Sequence, residues 1–365
     1  NHESLISEKT THNYQKEFQK ISLELMEINT HKEWATFYKK LVFWELELQE
    51  LDDSYMMEIF ENQLKEANAL FGKFIEKNYK EWLNSSESAP ILSHRLFKEK
   101  IQTKLNGKSP TLLLVIDNLR WDQWKTIEPI LSKYYQKNEE DMYYSLLPTA
   151  TQYARNALFA GLMPNEIKQQ YPQYWKDDTD EGGKNLFEEE LLLAQLERLN
   201  INGKFSYKKI TQLKAAKLLA EQMNNHREDT LLTIVYNFVD MISHAKSEME
   251  IIKELASDDK GYRSLTESWF KNSPLLDIIQ AAQRLGFNLI VTTDHGTINV
   301  RNPVEVVGDK ESSLNLRYKT GRSLKYPSKK VMVATDPEDF KLPRIGLNSE
   351  FIFAKECNYF VYPKS

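Results

Sequence analysis

The stretch Leu147-Pro148-Thr149-Ala150-Thr151-Gln152-Tyr153-Ala154-Arg155-Asn156-Ala157-Leu158-Phe159-Ala160-Gly161 reads as a strand end, a proline break and a helix that starts at the threonines. Ala154, Ala157, Leu158 and Gly161 recur at helical spacing. A helix start carries free N–H groups and the positive end of the dipole, so it suits a phosphate. A threonine hydroxyl placed there can attack phosphorus once its pKa is lowered, which is what a nearby metal does.

Working outward, the rest of the chain offers ligands for such a metal. The apolar run 112–116 ends in Asp117, the run 231–239 is followed by Asp240 and His244, and the run 287–293 by Asp294 and His295. In an open α/β sheet the site forms at the carboxyl ends of strands. Asp240 and His244 stand four apart, on one face of a helix start. Asp294-His295-Gly296 is a strand end turning at glycine, where two adjacent side chains can converge on one ion. Aspartate and neutral imidazole are ordinary zinc ligands. Of the other histidines, His2, His12, His31 and His94 precede this region and His226 sits in a polar loop.

Each residue also has a purely structural reading. Asp117 before Asn118 suits a helix cap, Asp240 another, which leaves His244 on the surface. Asp294-His295-Gly296 suits a turn. Thr149 with Gln152 matches a capping box.

Taken from its start, the chain is polar over residues 1–12, which are expected to fray. Residues 13–29, 32–50 and 53–82 have helical apolar spacing with no proline before Pro90, and predict an antiparallel helical bundle. A further helix is expected over 92–106, ending at Asn106-Gly107. Strands near 111–117, 142–147, 204–208, 230–239 and 287–293 then alternate with helices near 121–135, 185–199, 211–224, 240–255 and 264–285. The tail carries short strands near 331–335, 350–353 and 358–362. The fold class is therefore α/β, a mostly parallel sheet with helices on both faces, preceded by an all-α bundle. The division falls into a bundle or linker domain over 1–106 and an α/β domain over 107–365. Residues 165–184 read as an insertion without clear period, and 317–330 as a basic loop containing Arg317, Lys319, Arg322, Lys325, Lys329 and Lys330.

At 365 residues there is room for two domains. A net charge of −5 with interspersed signs argues against general nucleic-acid coating. The single cysteine, Cys357, excludes a disulfide framework and a thiolate zinc site. It suits a reducing, cytoplasmic compartment. No apolar run reaches the roughly 18 residues that span a bilayer, so no membrane insertion is expected. The chain opens on Asn1 without a methionine, as a piece of a longer protein would.

The order and spacing of these residues resemble the PglZ domain of the alkaline phosphatase superfamily over about residues 108–362. With the bundle in front, the chain is similar to the effector part of PorX-type response regulators of type IX secretion, in which a receiver domain precedes the bundle. Asp117 matches the first-strand metal aspartate. Pro148-Thr149-Ala150-Thr151 through Gly161-Leu162-Met163-Pro164 matches the nucleophile segment, whose second threonine is the nucleophile; here that is Thr151. Asp240 and His244 match an Asp-x-x-Gly-His pair, with Ser243 in place of glycine, and Asp294-His295-Gly296 matches the Asp-His-Gly motif. The resemblance implies a zinc-dependent phosphodiesterase acting on nucleotide or oligonucleotide phosphodiesters, with regulatory partners of type IX secretion and a homodimer. It implies zinc on Asp117, Thr151, Asp294 and His295, with a second, weaker metal on Asp240 and His244. Asn156 and Arg322 are candidate substrate contacts. The superfamily's late third histidine has no counterpart, because no histidine follows His295. The alternative is a catalytically weak, metal-stabilised regulatory interaction module that docks partner proteins.

Overall fold

The computed structural model describes residues 1–51, 53–85, 87–238, 241–242, 254, 258–308 and 315–364. Helices α1 (His2–Glu27), α2 (His31–Gln49) and α3 (Ser54–Asn84) form the bundle. Each buries one stripe at helical spacing, such as Trp34, Phe37, Leu41, Trp44 and Leu48 on α2. Thr30 and Asp53 accept N–H groups at the starts of α2 and α3. The segment expected to fray is helical from His2.

The α/β half is built on a parallel sheet of β1 (Thr111–Ile116), β2 (Phe205–Ile210), β3 (Leu231–Tyr236) and β4 (Asn288–Thr292), in the order β2-β3-β1-β4. Strands β1 and β3 are buried along their whole length. Successive side chains of β1 go to opposite faces, so Leu113 and Val115 join one core and Leu112, Leu114 and Ile116 the other. The second of these cores contains α4 (Trp121–Leu131). The first contains α5 (Thr151–Ala160) and runs without a break into the bundle. Part of the segment read as an insertion is helical, as α6 (Pro164–Gln170). Helix α7 (Glu188–Arg198) joins α5 in the first core, and α8 (Leu213–Gln222) joins α4 in the second, with the helices Asp259–Asn272 and Pro274–Arg284. The tail adds an antiparallel sheet of Tyr318–Gly321, Glu350–Ala354 and Val331–Ala334.

Residues 142–147 form no strand among the described residues; Tyr144 makes an isolated bridge with Leu92. The expected helix over 92–106 is a string of short turns, Ser93–Arg95, Phe97–Ile101 and Gln102–Lys104. The helix expected over 264–285 is two, because Ser273 caps a second start through Leu275 N–H and Pro274 occupies its first turn. The basic loop is no loop at its start, since Lys319 lies in a strand and is buried. The helix expected near 240–255 falls largely outside the described residues.

The bundle holds the chain that leads into α5. Tyr79 on α3, fully buried, accepts the N–H of Leu147 at 2.9 Å, and burial pushes its hydroxyl pKa up. Tyr144 donates to the His31 carbonyl at 2.6 Å. Ser93 Oγ accepts the N–H of Leu146 at 3.0 Å.

Candidate metal centre

The site lies where β1 and β4 end side by side and α5 begins. Asp117 follows β1, its N–H donating to the Tyr236 carbonyl at 2.9 Å. Asn118 then takes a left-handed conformation, φ 59°, which asparagine tolerates better than most residues. That turn aims its N–H at Asp294 Oδ1, 3.0 Å away. Thr293 Oγ1 accepts the Leu119 N–H at 3.1 Å, locking the two strand ends together. The Asp294 carbonyl accepts from Ser145 at 2.9 Å. Asp117 does not cap α4, whose N-cap is Arg120, with the Arg120 N–H donating to Gln123 Oε1.

Helix α5 starts at Thr151 with Ala150 as its N-cap and no side-chain cap. The capping box expected of Thr149 and Gln152 is not formed: Thr149 is exposed, and Gln152 donates to the Lys176 carbonyl at 2.9 Å. Among the described residues no side chain caps the helix start. The Thr151 hydroxyl lies 2.9 Å from His295 Nε2 and 3.5 Å from Asp117 Oδ1. His295 Nδ1 lies 2.9 Å from the Gly296 carbonyl, which can only accept, so Nδ1 carries the proton and Nε2 presents its lone pair to the site. The far end of α5 turns at Gly161, φ 66°, where Gln195 approaches too closely for a Cβ.

Ligand atoms of Asp117, Asp294 and His295 all lie within 4.8 Å of one another. Asp294 Oδ1 accepts from Asn118 N–H and from the His295 N–H at 2.8 Å. Among the described residues its Oδ2 has no hydrogen-bond partner, although the residue is 0 % exposed. A buried carboxylate oxygen left without a donor is costly, and a cation removes that cost. Two carboxylates, an imidazole nitrogen and a hydroxyl fit zinc, whose bonds to such ligands are roughly 2.0–2.2 Å.

Sequence reasoning missed Arg155 and Glu188. Arg155 lies one turn after Thr151 on the same helix face and is 2 % exposed. Its Nη1 is 3.1 Å from Asp117 Oδ1 and 3.7 Å from Asp294 Oδ2, and its Nε is 2.6 Å from Glu188 Oε1. Burial alone would lower the guanidinium pKa; Glu188, then Asp294 and Asp117, outweigh it and raise the value. Glu188 Oε2 accepts from Tyr207, whose hydroxyl pKa is pushed up by burial and by that carboxylate. The available signal was an arginine one turn after Thr151 on a helix whose Ala154, Ala157, Leu158, Phe159 and Ala160 read as core, since arginine is almost never buried without a partner.

The fold thus brings Asp117, Thr151, Asp294 and His295 together. Asp240 and His244 lie outside the described residues. Asn156 is buried, its amide donating to the Gln152 and Lys184 carbonyls at 2.8 and 3.0 Å. Arg322 is exposed beside Gly346, away from the cleft of about 1230 Å³ whose lining includes Thr151, Asp294, His295, Trp121 and Tyr143.

A family model described as the BREX system PglZ alkaline phosphatase-like domain matches residues 96–365. One described as the PorX response regulator linker domain matches residues 4–83. No curated protein matches the chain.

Proposed function

Because the chain belongs to the family of PglZ alkaline phosphatase-like domains and carries a response-regulator linker ahead of it, we propose that it is a zinc-dependent phosphodiesterase, the effector of a response regulator that controls type IX secretion. The observation that carries this reading is the Thr151 hydroxyl at an uncapped helix start, 2.9 Å from His295 Nε2 and beside the orphaned Asp294 oxygen.

In this reading Thr151 is the nucleophile and the start of α5 receives the phosphoryl oxygens. Asp117, Thr151, Asp294 and His295 would hold the zinc, and Asp240 with His244 a second, weaker ion. Bound zinc lowers the pKa of a coordinated hydroxyl and offsets charge on phosphoryl oxygens. The chain's own part is to orient the hydroxyl: Asn185 donates to the Thr151 carbonyl at 3.0 Å, and the Gly296 carbonyl fixes the His295 tautomer. Nucleotide or oligonucleotide phosphodiesters are the proposed substrates. A cytoplasmic homodimer with regulatory partners completes the reading. Among the described residues no helix is long and apolar enough to cross a membrane.

The second reading is an interaction module whose metal core shapes a docking surface. It is favoured by the absence of any histidine after His295. Hydrolysis of bis-p-nitrophenyl phosphate with and without chelator separates the two. Turnover that vanishes with chelator and returns with zinc supports the enzyme; no turnover at saturating zinc supports the module.

A further inference from the structure

Two buried aspartates that face one site repel each other, and the repulsion is strong where water is excluded. Asp294 is 0 % and Asp117 8 % exposed, so solvent does little to screen them. Arg155 is placed against both. Its 3.1 Å contact to Asp117 Oδ1 is a hydrogen bond, whereas the 3.7 Å separation from Asp294 Oδ2 is not. The guanidinium therefore supplies charge to Asp294 without filling the orphaned oxygen, and a second cation can still reach that oxygen. Arg155 is itself buried within α5 and tied at its other edge to Glu188, which is 1 % exposed. It cannot swing into solvent when an ion arrives.

We propose that Arg155 is a standing counter-cation of the metal centre: it keeps Asp117 and Asp294 assembled before a divalent ion binds, opposes that ion once bound, and is restrained in this by Glu188, which draws the guanidinium's charge away from the aspartates. Arg155 is a positioning residue, since it touches the ligands and not the reacting atoms. The two neighbours then have opposite effects on the ion. Removing the arginine's charge relieves repulsion on the ion but leaves the empty site with two carboxylates that have lost that guanidinium. Removing the glutamate's charge leaves the arginine wholly to the aspartates and strengthens the competitor. This inference rests on the metal-centre reading above.

The test compares wild type, Arg155→Met and Glu188→Gln by chelator-competition titration with zinc, and by thermal melting of chelated and zinc-loaded protein. Arg155→Met should melt lower when chelated, gain more on zinc addition than wild type, and bind zinc about tenfold tighter. Glu188→Gln should bind zinc about tenfold more weakly. A merely structural ion pair would lower chelated and loaded melting temperatures equally and leave zinc affinity unmoved in both variants, which overturns the proposal. So does a shift of both affinities in the same direction. If Arg155→Met does not fold, Glu188→Gln decides alone, since glutamine keeps the side-chain shape and unchanged or tighter binding refutes the idea. Wild type that takes up no zinc would sink the metal centre itself, an outcome distinct from zinc-binding wild type with unmoved variants.

Discussion

The Thr151 hydroxyl lies 2.9 Å from His295 Nε2, although 144 residues separate the two in the chain. The contact joins the start of α5 to the end of β4, and neither residue has a comparable claim on a structural role. Thr151 caps nothing, because the helix start is set by Ala150 without a side-chain cap. The His295 ring is held from behind by the Gly296 carbonyl, so its free nitrogen points at the hydroxyl.

Thr151→Val is therefore expected to remove turnover by at least about 1,000-fold, with a change in stability within about 1 kcal/mol, the scale of one lost hydrogen bond. Valine keeps the branched shape and loses only the oxygen. Thr149→Val is the control. Its hydroxyl is exposed, so both rate and melting temperature should stay at wild-type values. Hydrolysis of an activated phosphodiester and thermal melting at saturating zinc read both. Wild-type activity in Thr151→Val would end the covalent mechanism.

Asp294 supplies the orphaned oxygen, so it should decide whether metal binds. Protein purified without added metal is expected to contain zinc by elemental analysis, and Asp294→Ala to contain almost none. Zinc at 100 times its Kd should raise the stability of wild type by about 2.7 kcal/mol, and the gain should vanish in the variant. Equal zinc content in the two proteins would mean that this cluster is not the site.

Much of the sheet and of the metal cluster is legible in the sequence, for reasons that individual residues make plain. Strand β1 is a continuous run of Leu112, Leu113, Leu114, Val115 and Ile116 because it is covered on both faces, and such a run is visible in any sequence. Asp117 and Asp294 are legible because each directly follows such a run. Segment 142–147 is not, because Tyr143, Tyr144 and Leu146 look like strand residues yet are spent on contacts to Thr293, His31 and Ser93 rather than on a ladder. Arg155 escapes because its partners, Asp117, Glu188 and Asp294, lie far along the chain and meet it only in three dimensions. Ser273 is the opposite case: its cap on Leu275 is only two residues away, but the apolar periodicity on either side continues through it and hides the break.

The joint between the bundle and the α/β half should be sensitive to one oxygen. Tyr79 accepts the Leu147 N–H just before the Pro148-Thr149-Ala150-Thr151 segment. Tyr79→Phe keeps the ring and strands that donor, at a cost of about 1–3 kcal/mol. If the bundle positions the nucleophile helix, turnover should fall along with stability even at temperatures where the variant is fully folded. Loss of stability with unchanged kcat would confine Tyr79 to packing.

His94 gives the same joint a dependence on pH. It sits in the turn Ser93–Arg95, whose Ser93 holds Leu146, and its Nδ1 is buried with no hydrogen-bond partner among the described residues. Burial, aided by the adjacent Arg95 charge, lowers its pKa from 6.5 to about 4. The folded state therefore prefers the neutral ring. Above pH 6.5 the ring is neutral in both states and stability does not change on its account. As pH falls below 6.5 the unfolded chain takes up a proton that the folded chain refuses, so stability is lost, and the loss levels off below about pH 4. Across that window each pH step of one costs about 1.4 kcal/mol, so the full loss is on the order of 3 kcal/mol. His94→Gln removes the titrating group while the carboxylates and other histidines contribute equally to both proteins. Urea unfolding between pH 4 and 8 should then give a wild-type curve that falls more steeply below pH 6.5 than the variant's, with the two parallel above it. Parallel curves throughout would show that His94 protonates without cost in the folded protein, and acid lability of this turn would have to come from elsewhere.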